Sequence, residues 1–249
     1  MSDPREIVTV VTAGRPDVLE CMVRAWKRSG NAGWRVRIGI GWDGAELEKA
    51  LQRDGFWTFS MREAETEARI AFGADFSNHH ALWSSKVAAM MLGSRTRWCF
   101  WLDHDAEVRG DIGPIVEHGL SLGRWLSAPK YASMGARRWH GRRICQNGMC
   151  LVDTESEEIR LWRQAMHDRH LPNDEAVLHR AFGGWAKADR AIGDLYRPDW
   201  YASCDCYPES EKSIPLATER LKTSKALVRH WCAKAGKDAF KELYGKETA

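Results

Sequence analysis

The sequence predicts an α/β fold with a mainly parallel central sheet flanked by helices, and three observations carry that expectation. A strand, a turn and a helix follow one another twice within residues 7–53. An apolar run of Trp98, Cys99, Phe100, Trp101 and Leu102 stops abruptly at Asp103. Beyond Asp111 the chain changes character, yet residues 125–128 and 144–152 still read as strands and residues 155–169 as an amphipathic helix. Parallel strands need crossover connections, and successive β-α units supply them with right-handed topology. With 249 residues, 44% of them hydrophobic, the chain can fill one sizeable core, and no linker, repeat or low-complexity segment divides it. A single domain over residues 1–249 is expected.

Residues 7–11 are β-branched and apolar and read as a strand, which the turn of Thr12, Ala13, Gly14, Arg15 and Pro16 ends. Leu19, Met22, Val23 and Trp26 then recur at helical spacing over residues 18–27. Residues 34–40 alternate as a second strand ending at Trp42, Asp43 and Gly44, and residues 45–53 are helical in composition. Residues 54–77 read as irregular, with a charged helical piece from Arg62 to Arg69; residues 78–92 form a helix ahead of the 98–102 strand. Further on, residues 125–128 read as a strand, and residues 144–152 as another with a break at Gly148. Residues 155–169 make an amphipathic helix, and Asn173 or Asp174 can cap a helix that follows. Residues 225–229 read as a last strand before His230.

Composition excludes several classes of protein. No run of about 18 apolar residues and no basic-then-apolar amino terminus occurs, so a soluble, cytoplasmic protein with no membrane partner is expected. Seven cysteines are an odd number and several fall in predicted strands, which suits a reducing compartment. Cys204 and Cys206 lack a second ligand pair at zinc spacing and read as structural. A net charge of +3 is too small to imply a polyanionic partner. Its distribution is uneven, however: Arg137, Arg138, His140, Arg142 and Arg143 surround Trp139 within seven positions, in a stretch that also holds Gly135 and Gly141. The plain reading is a solvated loop; the alternative is a loop that holds a phosphate-bearing acceptor, nucleic acid included, by charge and stacking.

The strand that ends at Asp103 carries the chemistry. Its carboxyl end is where ligands bind in open α/β sheets, and Asp105 follows Asp103 after one intervening residue, His104. Two carboxylates so spaced can face one hard cation such as Mg²⁺ or Mn²⁺ and leave open positions for phosphate oxygens. Taken alone, such a pair is also a common turn or cap. Lys86 lies between Leu82 and Met90 on a largely apolar helix face, where a cation needs an anionic partner or must snorkel outward.

Taken in order, these motifs resemble the nucleotide-diphospho-sugar transferases of the GT-A fold, a Rossmann-like fold, particularly the glycogenin-like members; the amino-terminal stretch is also similar to family-two enzymes. The resemblance implies that residues 1–110 form a nucleotide-binding half and residues 111–249 an acceptor-binding half. Thr12, Ala13 and Arg15 resemble the first turn that meets the nucleotide, and Asp43 the acidic residue that contacts the base. Lys86 matches the basic residue in the helix before the metal motif, and Asp103, His104 and Asp105 match that motif, which meets both donor and metal. Asn147 and Gly148 resemble an acceptor-side strand, to which Arg137, Arg138 and Trp139 would add. Asp174 and Glu175 are similar to the acidic helix start facing the sugar, though they do not reproduce the family's Asp-Gln pair. His230 resembles the carboxyl-terminal metal ligand, and Lys234 and Lys237 the lysines that bind diphosphate.

The resemblance therefore implies a metal-dependent glycosyltransferase that moves a hexosyl or pentosyl group from a nucleotide sugar, a uridine nucleotide by family habit, to a hydroxyl. Mn²⁺ or Mg²⁺, held by Asp103, Asp105 and His230, would neutralise the departing diphosphate. Asp174 or Glu175 would take the acceptor proton if the reaction inverts, or orient the sugar if it retains. A hydroxymethylated base in DNA is the alternative acceptor. A sugar nucleotidyltransferase is a lesser alternative, because the first turn offers only Gly14 and Arg15 where a glycine-rich basic loop is needed. A non-catalytic binding protein on the same scaffold is the remaining one.

Overall fold

The computed structural model describes residues 6–11, 16–41, 45–73, 78–132, 143–167, 174–207 and 213–244. In chain order the first elements are β1 (Glu6–Val11), α1 (Pro16–Arg28), β2 (Arg35–Ile40), α2 (Ala45–Arg53), β3 (Trp57–Ser60), α3 (Arg62–Phe72), α4 (Asn78–Gly93) and β4 (Trp98–Leu102). Then come β5 (Ala106–Val108), α5 (Gly113–Ser121), β6 (Leu126–Ala128), β7 (Lys130–Ala132), β8 (Arg143–Cys145), β9 (Met149–Asp153) and α6 (Glu157–Ala165). The remainder is α7 (Asp174–Ala181), α8 (Trp185–Ala191), β10 (Gly193–Asp194), β11 (Tyr201–Ser203), α9 (Ile214–Lys222), β12 (Val228–His230) and α10 (Ala233–Tyr244).

Seven strands form the main sheet in the order β10-β6-β9-β4-β1-β2-β3. All run parallel except β9, which pairs antiparallel with β4 and β6. The expected mainly parallel sheet flanked by helices is therefore present. Its middle strand, β4, is apolar throughout because both of its faces are covered. Phe100 and Leu102 join α1, α5, α10 and the small sheet in one core cluster, while Cys99 and Trp101 join α3, α4, α6 and α7 in the other. That division follows from the two-residue period of a strand. Each such fully buried large side chain contributes about 1.5–3 kcal/mol.

A second sheet, β11-β12-β5, sits at the carboxyl end of β4. β12 runs antiparallel to β5, with His230 opposite Ala106, and parallel to β11, with Ser203 opposite His230. This register, rather than closeness in sequence, brings the end of the chain to Asp105.

Four sequence readings need correction. Residues 54–77 are not mostly irregular: they contain β3 and the full helix α3. β3 is an edge strand of four residues, bonded only to β2 and largely exposed, so it shows no buried alternation that a periodicity argument could find. Residues 144–152 are not one broken strand, because β8 pairs with β7 in a separate ribbon while β9 enters the main sheet. The helix expected over residues 155–169 is shorter: α6 starts after Ser156, whose hydroxyl accepts the amide N–H of Ile159 at 3.2 Å, and ends at Ala165. The last strand runs Val228–His230 rather than 225–229, so His230 lies within it. Among the described residues no helix is long and apolar enough to cross a membrane.

Candidate active site

Asp103 leaves β4 in a tight turn: its amide N–H donates to the carbonyl of Gly148 at 2.8 Å, and its carbonyl accepts from Ala106 at 2.9 Å. This turn holds Asp105 beside β12, where the amide of Trp231 donates to the Asp105 carbonyl at 2.9 Å. Asp103, Asp105 and His230 thereby converge, each offering one ligand atom within 4.8 Å of the others. His230 Nε2 lies 3.0 Å from Asp105 Oδ1 and 3.5 Å from Asp103 Oδ2. Tyr201 Oη, on the neighbouring strand, is 2.9 Å from His230 Nδ1 and fixes the ring so that Nε2 faces the carboxylates.

Two lysines flank the cluster. Lys86 Nζ is 3.0 Å from Asp103 Oδ1, and the indole of Trp101 donates to the same oxygen at 2.7 Å. The anionic partner that a buried lysine in α4 requires is thus Asp103 itself. Lys237 Nζ, from α10, is 3.2 Å from Asp105 Oδ2. Each carboxylate is bracketed by one lysine and shares the imidazole.

The electrostatics of Asp105 and His230 are dominated by burial and by each other. Burial alone raises the pKa of Asp105. The charge of His230 and its hydrogen bond, with His104 and Lys237 adding, outweigh burial and hold the carboxyl well below the usual carboxylate range. For His230, burial pulls the pKa down, but the charge and hydrogen bond of Asp105, then Cys232 and Asp103, push it up to about 10. Asp105 and His230 therefore pair as carboxylate and imidazolium. Burial lowers the pKa of His104 against the pull of Asp105, and its Nε2 has no hydrogen-bond partner among the described residues.

The donor set fits a divalent ion. Two carboxylates suit hard cations, and their oxygens lie 3.0 and 3.5 Å from the imidazole Nε2, close enough for the three donors to share one ion.

The chain passes from β12 into α10 through a bend that only certain residues permit. Ala233 has a φ of 62°, the one positive φ outside glycine among the described residues. Gly236 packs so closely on the backbone of Trp231 that a Cβ there would stand 2.8 Å from its carbonyl carbon. This close approach carries Lys237 back onto Asp105. Gly148 has a similar role on the other side, since a Cβ on it would lie 2.5 Å from His230 Cε1.

Of the residues read from the sequence, the structure brings together Asp103, Asp105, His230, Lys86 and Lys237, with His104 buried between the two aspartates. Lys234 is exposed in the first turn of α10. Asn147 is fully buried, accepts a weak bond from the Cys145 thiol, and leaves its Nδ2 without a partner among the described residues. Asp174 and Glu175 open α7 as expected, but their side chains lie outside the described residues. Thr12, Ala13, Arg15, Asp43, Arg137, Arg138 and Trp139 also lie outside them.

Sequence reasoning missed the residues that support this cluster. Tyr201 and Trp101 orient His230 and Asp103 but belong to strands whose apolar character hides a polar task. Glu107, fully buried in β5, accepts from Arg229 Nε and Nη2 at 2.7 and 2.6 Å, from the Trp231 indole at 2.9 Å and from the Tyr244 hydroxyl at 2.6 Å. One carboxylate thus ties β5 and β12 to the far end of α10. A glutamate between two apolar residues, Ala106 and Val108, was the available signal.

No protein-family model and no curated protein matches this chain. Solved structures do. The galactosyltransferase LgtC, in complex with donor and acceptor sugar analogues, superposes with a TM-score of 0.64 at 14% identity, covering 98% of this chain and 96% of that one. Mouse xyloside xylosyltransferase 1 gives a TM-score of 0.59 at 11% identity over 90% and 97% of the two chains. The glycosyltransferase GlyE of Streptococcus pneumoniae TIGR4 gives 0.60 at 14% identity, with 99% of this chain matching 61% of the other. At these identities the likeness establishes the fold, which is the α/β fold of GT-A glycosyltransferases.

Proposed function

We propose that this protein is a metal-dependent glycosyltransferase that moves a sugar from a nucleotide-sugar donor to a hydroxyl acceptor. The observation that carries this reading is the convergence of Asp103, Asp105 and His230 between Lys86 and Lys237, at the carboxyl end of the middle strand of such a fold. Asp103, Asp105 and His230 would hold the ion. The carboxylates suit Mg²⁺ or Mn²⁺, and the imidazole shifts the preference towards Mn²⁺. A bound cation of this kind supplies Lewis-acid neutralisation of a diphosphate.

The chain's own residues supply the rest. Lys237 and Lys86 are fixed positive charges beside the position where negative charge develops on the leaving diphosphate, an arrangement that stabilises a transition state without reorganisation. With a cation held by the two carboxylates, Lys86 and Lys237 would be available to phosphate oxygens. Trp101 and Tyr201 hold Asp103 and His230 in place. His104 is assigned to the donor, and Asn147 and Gly148 to the acceptor side. Asp174 or Glu175, at the start of α7, takes the acceptor proton or orients the sugar. Thr12, Ala13, Arg15 and Asp43 follow β1 and β2 in sequence and are assigned to the nucleotide, with a uridine diphosphate as the expected carrier. Residues 1–110 would form the donor half and residues 111–249 the acceptor half, the latter also returning His230 and Lys237 to the donor.

Thermal unfolding with a panel of nucleoside diphosphates and nucleotide sugars, with and without Mn²⁺, tests the reading, because a ligand bound to the folded state raises the melting temperature. Stabilisation by one nucleotide that needs Mn²⁺ and is lost in Asp105→Asn supports it. No response to any nucleotide sinks it.

A further inference from the structure

The connection from His230 to Lys237 carries a second chemistry. Cys232, two residues past His230, is partly exposed, and Cys204, in the 3-10 turn that follows β11, is buried. Their Sγ atoms lie 3.0 Å apart. That is closer than the ~3.5–4.0 Å at which non-bonded carbon atoms rest. A disulfide would bring the sulfurs to about 2.05 Å, so roughly 1 Å of closure separates the two states. The proximity is built into the sheet: Ser203 and His230 are register partners on parallel β11 and β12, so the residues after them leave the sheet side by side. Cys232 Sγ also sits 3.4 Å from Ser203 Oγ, which holds the thiol over the β11 end.

We propose that Cys204 and Cys232 form a redox-modification site, a reversible disulfide whose closure weakens metal binding at Asp103, Asp105 and His230. The coupling half of this proposal rests on the metal reading above; the bond itself does not. The oxidant is a low-molecular-weight disulfide such as oxidised glutathione. Cys232, the more accessible of the two, loses its proton and its thiolate attacks one glutathione sulfur, forming a mixed disulfide and expelling glutathione thiolate, which takes up a proton. Cys204 then loses its own proton, attacks the Cys232 sulfur and expels the second glutathione. Two protein thiols and one glutathione disulfide become one protein disulfide and two glutathione thiols, a balanced two-electron exchange.

Closure acts on the site because Cys232 lies between a metal ligand and a lysine. His230 precedes it by two residues, and Ala233, with its positive φ, follows it directly into the helix that carries Lys237. Metal–ligand distances must fall within about 0.2 Å of their ideal lengths, and closing roughly 1 Å between the two sulfurs draws on the backbone that joins His230 to the helix bearing Lys237.

The test treats the whole protein with oxidised glutathione, maps peptides without reduction by mass spectrometry, and measures Mn²⁺ affinity by calorimetry before and after. The expected result is a Cys204–Cys232 linked peptide, a Mn²⁺ Kd at least fivefold weaker in the oxidised protein, and full recovery with dithiothreitol. Cys204→Ser should bind Mn²⁺ normally when reduced, and with the oxidant should stop at the glutathione mixed disulfide on Cys232, giving no intramolecular linked peptide. Recovery of only glutathione mixed disulfides or unmodified thiols overturns the modification site. A linked peptide with unchanged Mn²⁺ affinity overturns the coupling. Absence of Mn²⁺ binding in the reduced protein overturns the metal reading and the coupling with it, while the linked peptide still decides the modification site.

Discussion

Gly148 and His230 stand in such close contact that the glycine is the only residue the imidazole allows: a Cβ at position 148 would meet His230 Cε1 at 2.5 Å and Nδ1 at 2.6 Å. The backbone cannot easily withdraw, because the Gly148 carbonyl accepts the amide of Asp103. In Gly148→Ala the ring must therefore turn off Asp105. Mn²⁺ affinity should fall at least tenfold, about 1.4 kcal/mol, while overpacking of ~1–3 kcal/mol leaves the fold intact. Calorimetry and thermal unfolding measure the two effects separately, and wild-type Mn²⁺ affinity in this variant would contradict the account.

Lys86 and Asp103 form a nearly buried ion pair, and removing one partner strands the other. Loss from a fully buried pair costs about 3–5 kcal/mol; Asp103 retains some solvent access, so Lys86→Met should cost less, about 2 kcal/mol of stability. Its kcat/KM for the donor should drop more than tenfold, whereas Lys86→Arg keeps the charge and most of the activity. Equal activity in both variants would remove Lys86 from the donor site.

His230 gives the proposed metal site a pH dependence with a definite sign. Its folded pKa of about 10 lies above the unfolded value near 6.5, so its pair with Asp105 stabilises the metal-free protein below pH ~6.5, and this contribution is lost as pH rises through about 10. An ion must displace that proton to reach Nε2. Mn²⁺ affinity should therefore rise from pH 7 to 9 by close to tenfold per unit, with about one proton released per ion. Calorimetry in buffers of different ionisation enthalpy counts the protons, and a flat pH profile would exclude His230 as a ligand.

Glu107 anchors the strands that carry the cluster. Its removal leaves Arg229, itself buried, without its main charge partner, so Glu107→Ala should lose about 3–5 kcal/mol. Tyr244→Phe deletes one hydrogen bond to the same carboxylate and should lose about 1 kcal/mol. Chemical denaturation of both variants and of the double mutant tests the network: costs that simply add would show that the two residues act independently.

Particular residues show what the sequence made legible. Asp103 and Asp105 were visible because an apolar strand stops at them, and Lys86 because a cation on an apolar helix face demands an anion, which turned out to be Asp103. His230 and Lys237 were reached only through resemblance. Tyr201 left no signal and Glu107 only that of a lone carboxylate between Ala106 and Val108, because β5, β11 and β12 are three residues each, too short to show a period, and their partners are set by register between distant segments. Gly148 was noticed as a motif, yet the steric reason for it lies in a histidine far along the chain. β3 escaped because an exposed edge strand has no buried face to pattern its sequence.

The central claim is most directly tested by following release of nucleoside diphosphate from a panel of nucleotide sugars, with Mn²⁺ or with chelator, in the wild type and in Asp103→Asn and Asp105→Asn. The account predicts slow hydrolysis of one donor even without acceptor, abolished by chelator and reduced at least a hundredfold in both variants, which should remain folded. Hydrolysis that survives chelation or both substitutions, or release from no donor at all, would contradict it.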